Sequence, residues 1–169
     1  HWFPWWFQLK RFALGRLQFE LIAFDDEYEK DGLVLHKSSP VINVHIPSCG
    51  KLDYAEVQKS YEKAAVFYRA EFTEHPLVFV CESWLLFPAN KEILPEHSNI
   101  RSFLADYDVY RTRENNKDLW RIYYGAEQNG FEHLPESTGL ERAYKNWLLS
   151  GHMAGQSWGV YRYGQEVLK

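Results

Sequence analysis

Cys49 lies just ahead of a segment that opens like a helix, and His45 stands four residues before it. A thiol at a helix N-terminus is favoured as thiolate, and a histidine within reach would serve as its base. The same two residues also suit a turn cysteine without chemistry and an edge histidine bonded to water. Glu82 falls inside the apolar run of residues 78–86. A carboxylate buried there must rise in pKa or find a partner such as Arg142; the alternative is a place at the strand's exposed end. Ser98 and Asn99 follow His97 and precede an apolar segment, so Asn99 is a candidate for orienting a substrate as well as for closing a turn. His75 and His133 stand beside or near prolines, and neither has a partner at metal-ligand spacing, so no metal site is expected. No phosphate-cradling Gly-x-x-x-x-Gly-Lys loop is present.

These groups need elements to hold them. Residues 16–24 alternate apolar and polar, as a half-buried strand does. Asp31 and Gly32 mark a hairpin, and residues 33–35 begin the return strand. After a break at residues 38–40, residues 41–46 form a strand with Ile42, Val44 and Ile46 on one face and Asn43 and His45 on the other. Asp53 and Glu56 have the spacing of a capping box, and Leu52 and Val57 that of a hydrophobic staple. The helix they start is expected to reach Phe72 along a stripe of Val57, Tyr61, Ala64, Ala65 and Tyr68. Residues 77–87 read as a buried central strand and 88–94 as a short helix; 100–104 fit either type. Residues 106–112 and 119–124 read as a pair of strands. Thr138 and Glu141 form a second capping box, the helix ends near Gly151, and 158–163 are a last strand. The aromatics of 120–124 and 158–163 fit either a stacking platform or a core. The order implies an α/β (α+β) domain: a mixed, largely antiparallel sheet with flanking helices.

With 169 residues the chain can bury a core without staples. The net charge of -4 and dispersed basic residues argue against nucleic-acid binding. No apolar stretch has the length of a membrane span, and no signal peptide is visible. The two cysteines, Cys49 and Cys81, read as free thiols of a reducing cytoplasm. Residues 1–14 form a separate aromatic segment, which either packs on the core or faces a preceding domain; residues 15–169 are the domain itself. A start at His1 suggests a piece of a longer protein.

Several segments carry a more specific likeness. They are His45-Ile46-Pro47-Ser48, Cys81-Glu82-Ser83-Trp84-Leu85-Leu86, Glu96-His97-Ser98-Asn99-Ile100, Leu134-Pro135-Glu136-Ser137-Thr138 and Gly155-Gln156-Ser157-Trp158-Gly159. From about Leu14 onward the chain resembles the GNAT-like C-terminal domain of a bacterial family of acyltransferases, whose members also carry an N-terminal acyltransferase-like domain. The resemblance implies a GNAT-like fold in which an acyl-CoA sits where two parallel strands splay. It implies transfer of an acyl group from a CoA or carrier thioester to an amine, with acyl-CoA as substrate rather than a covalently bound cofactor, a small-molecule acceptor, and the N-terminal domain as partner. Glu82 would then be a general base toward an amine, and Ser48, Cys49, Gly50 and Lys51 would form the cofactor edge. The alternative is a non-catalytic domain of the same shape that packs against its partner and closes a site carried there, as the aromatic N-terminal edge and the turn of residues 47–53 would suit. The chain departs from ordinary GNAT proteins at this turn, which has one glycine and an acidic cap. Asp53 would occupy first-turn donors and set negative charge where a diphosphate belongs, with Lys51 offsetting part of it.

Overall fold

In the computed structural model of the chain, which describes residues 10–164, the sheet begins with a hairpin that no alternation announced. The aromatic run at residues 1–7 lies outside the described residues. β1 (Arg11–Leu14) pairs antiparallel with β2 (Leu17–Ala23). Gly15 makes the turn at φ 88°, and a Cβ there would lie 2.8 Å from the Ser60 hydroxyl, so conformation and space both require glycine. The hairpin marked by Asp31 and Gly32 joins β3 (Tyr28–Lys30), a strand the sequence did not suggest, to β4 (Leu33–Leu35), and the two form a separate two-stranded sheet. Asp31 and Gly32 both take positive φ, as a two-residue turn between twisted strands demands. β5 (Pro40–His45) returns beside β2, again antiparallel.

α1 (Tyr54–Phe67) starts where Asp53 predicts, with the Asp53 side chain accepting from the Glu56 N–H at 3.2 Å. The reciprocal half of the box is not made. Glu56 pairs instead with Lys59 at 2.8 Å, and the Asp53 N–H goes to the Lys51 carbonyl at 3.1 Å. The helix stops at Phe67, short of the expected end, and tightens into a 3₁₀ turn, Arg69–Phe72, that still buries Tyr68 and Phe72. β6 (Val78–Ser83) is also shorter than its apolar run suggests. The Ser83 hydroxyl accepts from the Leu85 N–H at 3.2 Å and starts a 3₁₀ turn, Trp84–Leu86.

Beyond it lie α2 (Asn90–Ile93), α3 (Asn99–Ala105), β7 (Asp108–Glu114), α4 (Trp120–Tyr123), α5 (Gly139–Leu149) and β8 (Gly155–Arg162). The strand expected at 119–124 is a helical turn. Its residue types favour a strand, but Leu119, Ile122 and Tyr123 recur at helical spacing and enter one core with Leu134, Tyr144 and Leu148. Packing overrides the local preference. The ambiguous segment at 100–104 is α3. α5 carries the complete capping box: the Glu141 N–H reaches the Thr138 hydroxyl at 3.1 Å, and the Thr138 N–H reaches the Glu141 carboxylate at 2.7 Å.

The six-stranded sheet has the order β1-β2-β5-β6-β8-β7. It is mixed: β1, β2 and β5 run antiparallel, and β5 and β6 run parallel. The described residues form two compact units, 10–81 with 160–164, and 82–159. In the first, Tyr61 of α1 packs between the rings of Phe19, Phe79 and Tyr161, at 6.2, 4.9 and 5.2 Å. In the second, the buried Asn90 side chain donates to the carbonyls of Trp84 and Leu85, at 2.9 and 3.2 Å, and accepts from the Tyr144 hydroxyl at 2.7 Å.

Candidate functional site

In the first unit, the parallel pair is short. Ile42 stands opposite Phe79 and Asn43 opposite Val80, and there the register ends. β5 continues through Val44 and His45, paired with Phe19 and Gln18 of β2, while β6 continues to Cys81 within this unit. A parallel ladder that stops before its strands do leaves backbone edges facing each other without cross-strand bonds.

β5 leads into the turn of residues 46–53, which holds the expected cofactor edge. Arg16, from the β1–β2 turn, organises it. Its guanidinium donates to the carbonyls of Pro47 (3.0 Å), Gly50 (3.1 Å) and Lys51 (3.1 Å), and one nitrogen lies 3.6 Å from the Cys49 sulfur. The Arg16 N–H is itself tied to the buried Ser60 hydroxyl of α1 at 2.8 Å. Gly50 takes φ 80°, and nothing crowds the place of its missing side chain. Among the described residues, no partner accepts from the backbone N–H groups of Ser48, Cys49, Gly50, Lys51 or Leu52. The Asp53 cap takes the Glu56 N–H, one helical turn further on, and so leaves these donors open. The sequence offered no signal for Arg16 beyond its place after a glycine.

His45 is half-buried and is drawn to a neighbouring strand. Its Nε2 lies 3.2 Å from the Glu20 carboxylate and 3.2 Å from the Asn43 amide. The Glu20 oxygen also receives the Arg11 guanidinium at 3.0 Å. Asn43 and His45 do share a face, as alternation predicts. Burial, reinforced by the nearby Arg11 charge, holds the imidazole below its usual pKa, while Glu20 pulls the other way. No hydrogen bond joins His45 to Cys49, which is exposed and whose sulfur has Arg16 as its neighbour.

In the second unit, Glu82 is exposed at the end of β6 rather than enclosed. Its partner is the Gln156 amide of β8 at 2.8 Å, not Arg142, which bonds the carbonyl of Glu136 at 2.7 Å. Asn99 is the first residue of α3, behind a Ser98 hydroxyl that accepts from the Ile100 N–H at 3.2 Å. Trp158 carries the Arg111 guanidinium over its ring at 4.2 Å. Among the described residues no cluster of His, Cys, Asp and Glu could hold a metal, and no helix is long and apolar enough to cross a membrane.

The model of the family of GNAT-like C-terminal domains matches residues 11–161. No curated protein matches the chain. Solved structures do. A crystal structure of an acyltransferase in complex with decanoyl-CoA and teicoplanin is 26% identical, with a TM-score of 0.72 over 95% of this chain and 50% of that one. An acyltransferase in complex with decanoyl-CoA is 30% identical, with a TM-score of 0.71 over 95% of this chain and 49% of that one. An acyltransferase mutant in complex with octanoyl-CoA is 26% identical, with a TM-score of 0.71 over 90% and 46%. The chain thus spans about half the length of the structures it matches.

Proposed function

The chain belongs to the family of GNAT-like C-terminal domains, and from that premise we propose that it is the acyl-CoA-binding half of an acyltransferase that passes an acyl group from a thioester to an amine. The observation that carries this reading is the end of the β5–β6 ladder after Asn43 and Val80. Strand edges without cross-strand bonds can receive the amides of a pantetheine arm as a third partner. The turn that follows β5 has open N–H groups where the diphosphate of CoA would arrive. Solved relatives in complex with decanoyl-CoA and octanoyl-CoA support the same donor class here.

In the proposed reaction the amine nitrogen attacks the thioester carbonyl carbon. Backbone N–H groups stabilise the oxyanion. Glu82 accepts the amine proton, the C–S bond breaks, and the CoA thiolate leaves and is protonated. Exposure at the strand's end suits a base that must reach an incoming acceptor. The half of the longer protein outside this chain would be its partner and supply the remaining acceptor contacts.

A second reading, a non-catalytic domain that closes a site carried by that other half, draws on the chain's coverage of only half of each solved relative. Calorimetry on the full-length protein with decanoyl-CoA tests the donor assignment. Saturable binding is expected; no heat at millimolar ligand would remove it. Unchanged turnover in Glu82→Gln would assign the base elsewhere and leave the donor assignment standing.

A further inference from the structure

We propose that Arg16 is the positioning residue of the diphosphate turn: by holding the carbonyls of Pro47, Gly50 and Lys51, it aims the N–H groups that follow them toward the ligand. This rests on the acyl-CoA reading above. A trans peptide is planar, so its C=O and its N–H point in opposite directions. No peptide bond here is cis. With the carbonyls of Pro47, Gly50 and Lys51 turned toward the guanidinium, the N–H groups of Ser48, Lys51 and Leu52 must point away from it. Those groups are among the donors without a protein partner.

Successive outward N–H groups around a left-handed residue form an anion-binding concavity, and Gly50 supplies that residue at φ 80°. Ordinary turns of this kind rely on several glycines to reach such a shape. Here one glycine suffices because a side chain from another hairpin imposes the rest. Arg16 is suited to the task by its planar fork, whose fixed donors engage separate carbonyls at once; a lysine offers a single point charge. The fork is itself anchored, since the Arg16 N–H is held by Ser60 and the preceding Gly15 fits closely over that hydroxyl. The guanidinium also places a permanent positive charge behind the turn, which counters the Asp53 cap.

The test compares decanoyl-CoA with decanoyl-pantetheine, which has the same thioester but no diphosphate, on the full-length protein. For Arg16→Gln, the KM for decanoyl-CoA is expected to rise by about tenfold or more, with kcat at saturation and the KM for decanoyl-pantetheine unchanged. Arg16→Lys is expected to recover little of the loss. An equal loss with both donors, or no change with either, would overturn the proposal. If wild-type protein binds neither donor, the acyl-CoA reading fails instead. Should Arg16→Gln not fold, amide resonances of the wild-type protein titrated with inorganic diphosphate decide the matter. Ser48, Lys51 and Leu52 should shift most, and shifts confined to other amides would overturn the assignment.

Discussion

Ile42 of β5 stands opposite Phe79 of β6, and one residue beyond them the parallel ladder ends. Both side chains are fully buried, so the point of parting is rooted in the core of the first unit. Phe79 also packs on Tyr61 of α1 at 4.9 Å. The last paired residues are therefore held by the same contacts that seat the helix, and the register ends toward the end of β5 that feeds the Arg16-held turn.

Removing the Glu82 carboxylate tests its proposed role as the base. Glu82→Gln keeps a partner for Gln156 and leaves an exposed site little disturbed. Turnover at saturating donor is expected to fall by about 10²-fold or more, the usual range for a general base. Decanoyl-CoA affinity should stay as in the wild type. An unchanged kcat would assign the base elsewhere.

Charge reversal at Lys51 should weaken donor binding. Lys51→Glu places a second carboxylate near Asp53 on an exposed turn, with an effect on folding within about 0.5 kcal/mol. The decanoyl-CoA dissociation constant is expected to rise by about tenfold at low ionic strength and by less at high salt. Calorimetry at two salt concentrations measures both. A shift independent of salt would contradict an electrostatic origin.

His45 predicts a pH dependence of folding. Its pKa is depressed in the folded state by burial and by Arg11, so the unfolded chain binds its proton more readily. Stability therefore rises with pH in the window below the ordinary histidine value, is complete above about pH 6.5, and falls as pH drops through the folded value. The gap in stability between wild type and His45→Gln should thus change between about pH 7.5 and about pH 5. Urea midpoints at the two pH values measure it, and a constant gap would refute the coupling.

Tyr144→Phe should cost stability in the second unit. The change leaves the fully buried Asn90 carbonyl oxygen without the Tyr144 hydroxyl. A loss of about 1–3 kcal/mol is expected, read as a lower denaturant midpoint with an unchanged slope. A cost near zero would mean that the group finds another donor.

Gly15→Ala combines an unfavourable positive φ with a contact on Ser60. A loss of about 1–3 kcal/mol is expected from backbone strain and crowding together. Because the next residue is Arg16, donor affinity should fall as well. Thermal unfolding and calorimetry on the same sample separate the two effects. Stability lost without any change in affinity would show that the turn and the hairpin are independent.

Much of the architecture was legible in the residues. Alternation located Leu17 and Phe19 in a strand, Asp31-Gly32 in a hairpin, and Asn43 with His45 on a shared face. Local chemistry located both helix starts, because Asp53 and Thr138 cap by contacts within three residues of themselves. The family likeness pointed to the fold and to the turn at 47–53. Such features depend on neighbours in the chain, so a linear reading reaches them.

What only the tertiary structure decided depends on partners distant in sequence. The strand types of Trp120 to Tyr124 gave way to a helical turn because Ile122 and Tyr123 had a core to fill. Glu82 left its apolar run because β6 ends at Ser83, one residue later. His45 found Glu20 on the adjacent strand, and the turn after β5 took its shape from Arg16, more than thirty residues before it. A side chain's reach across a fold follows no spacing in the sequence, since it is set by which backbones packing brings side by side.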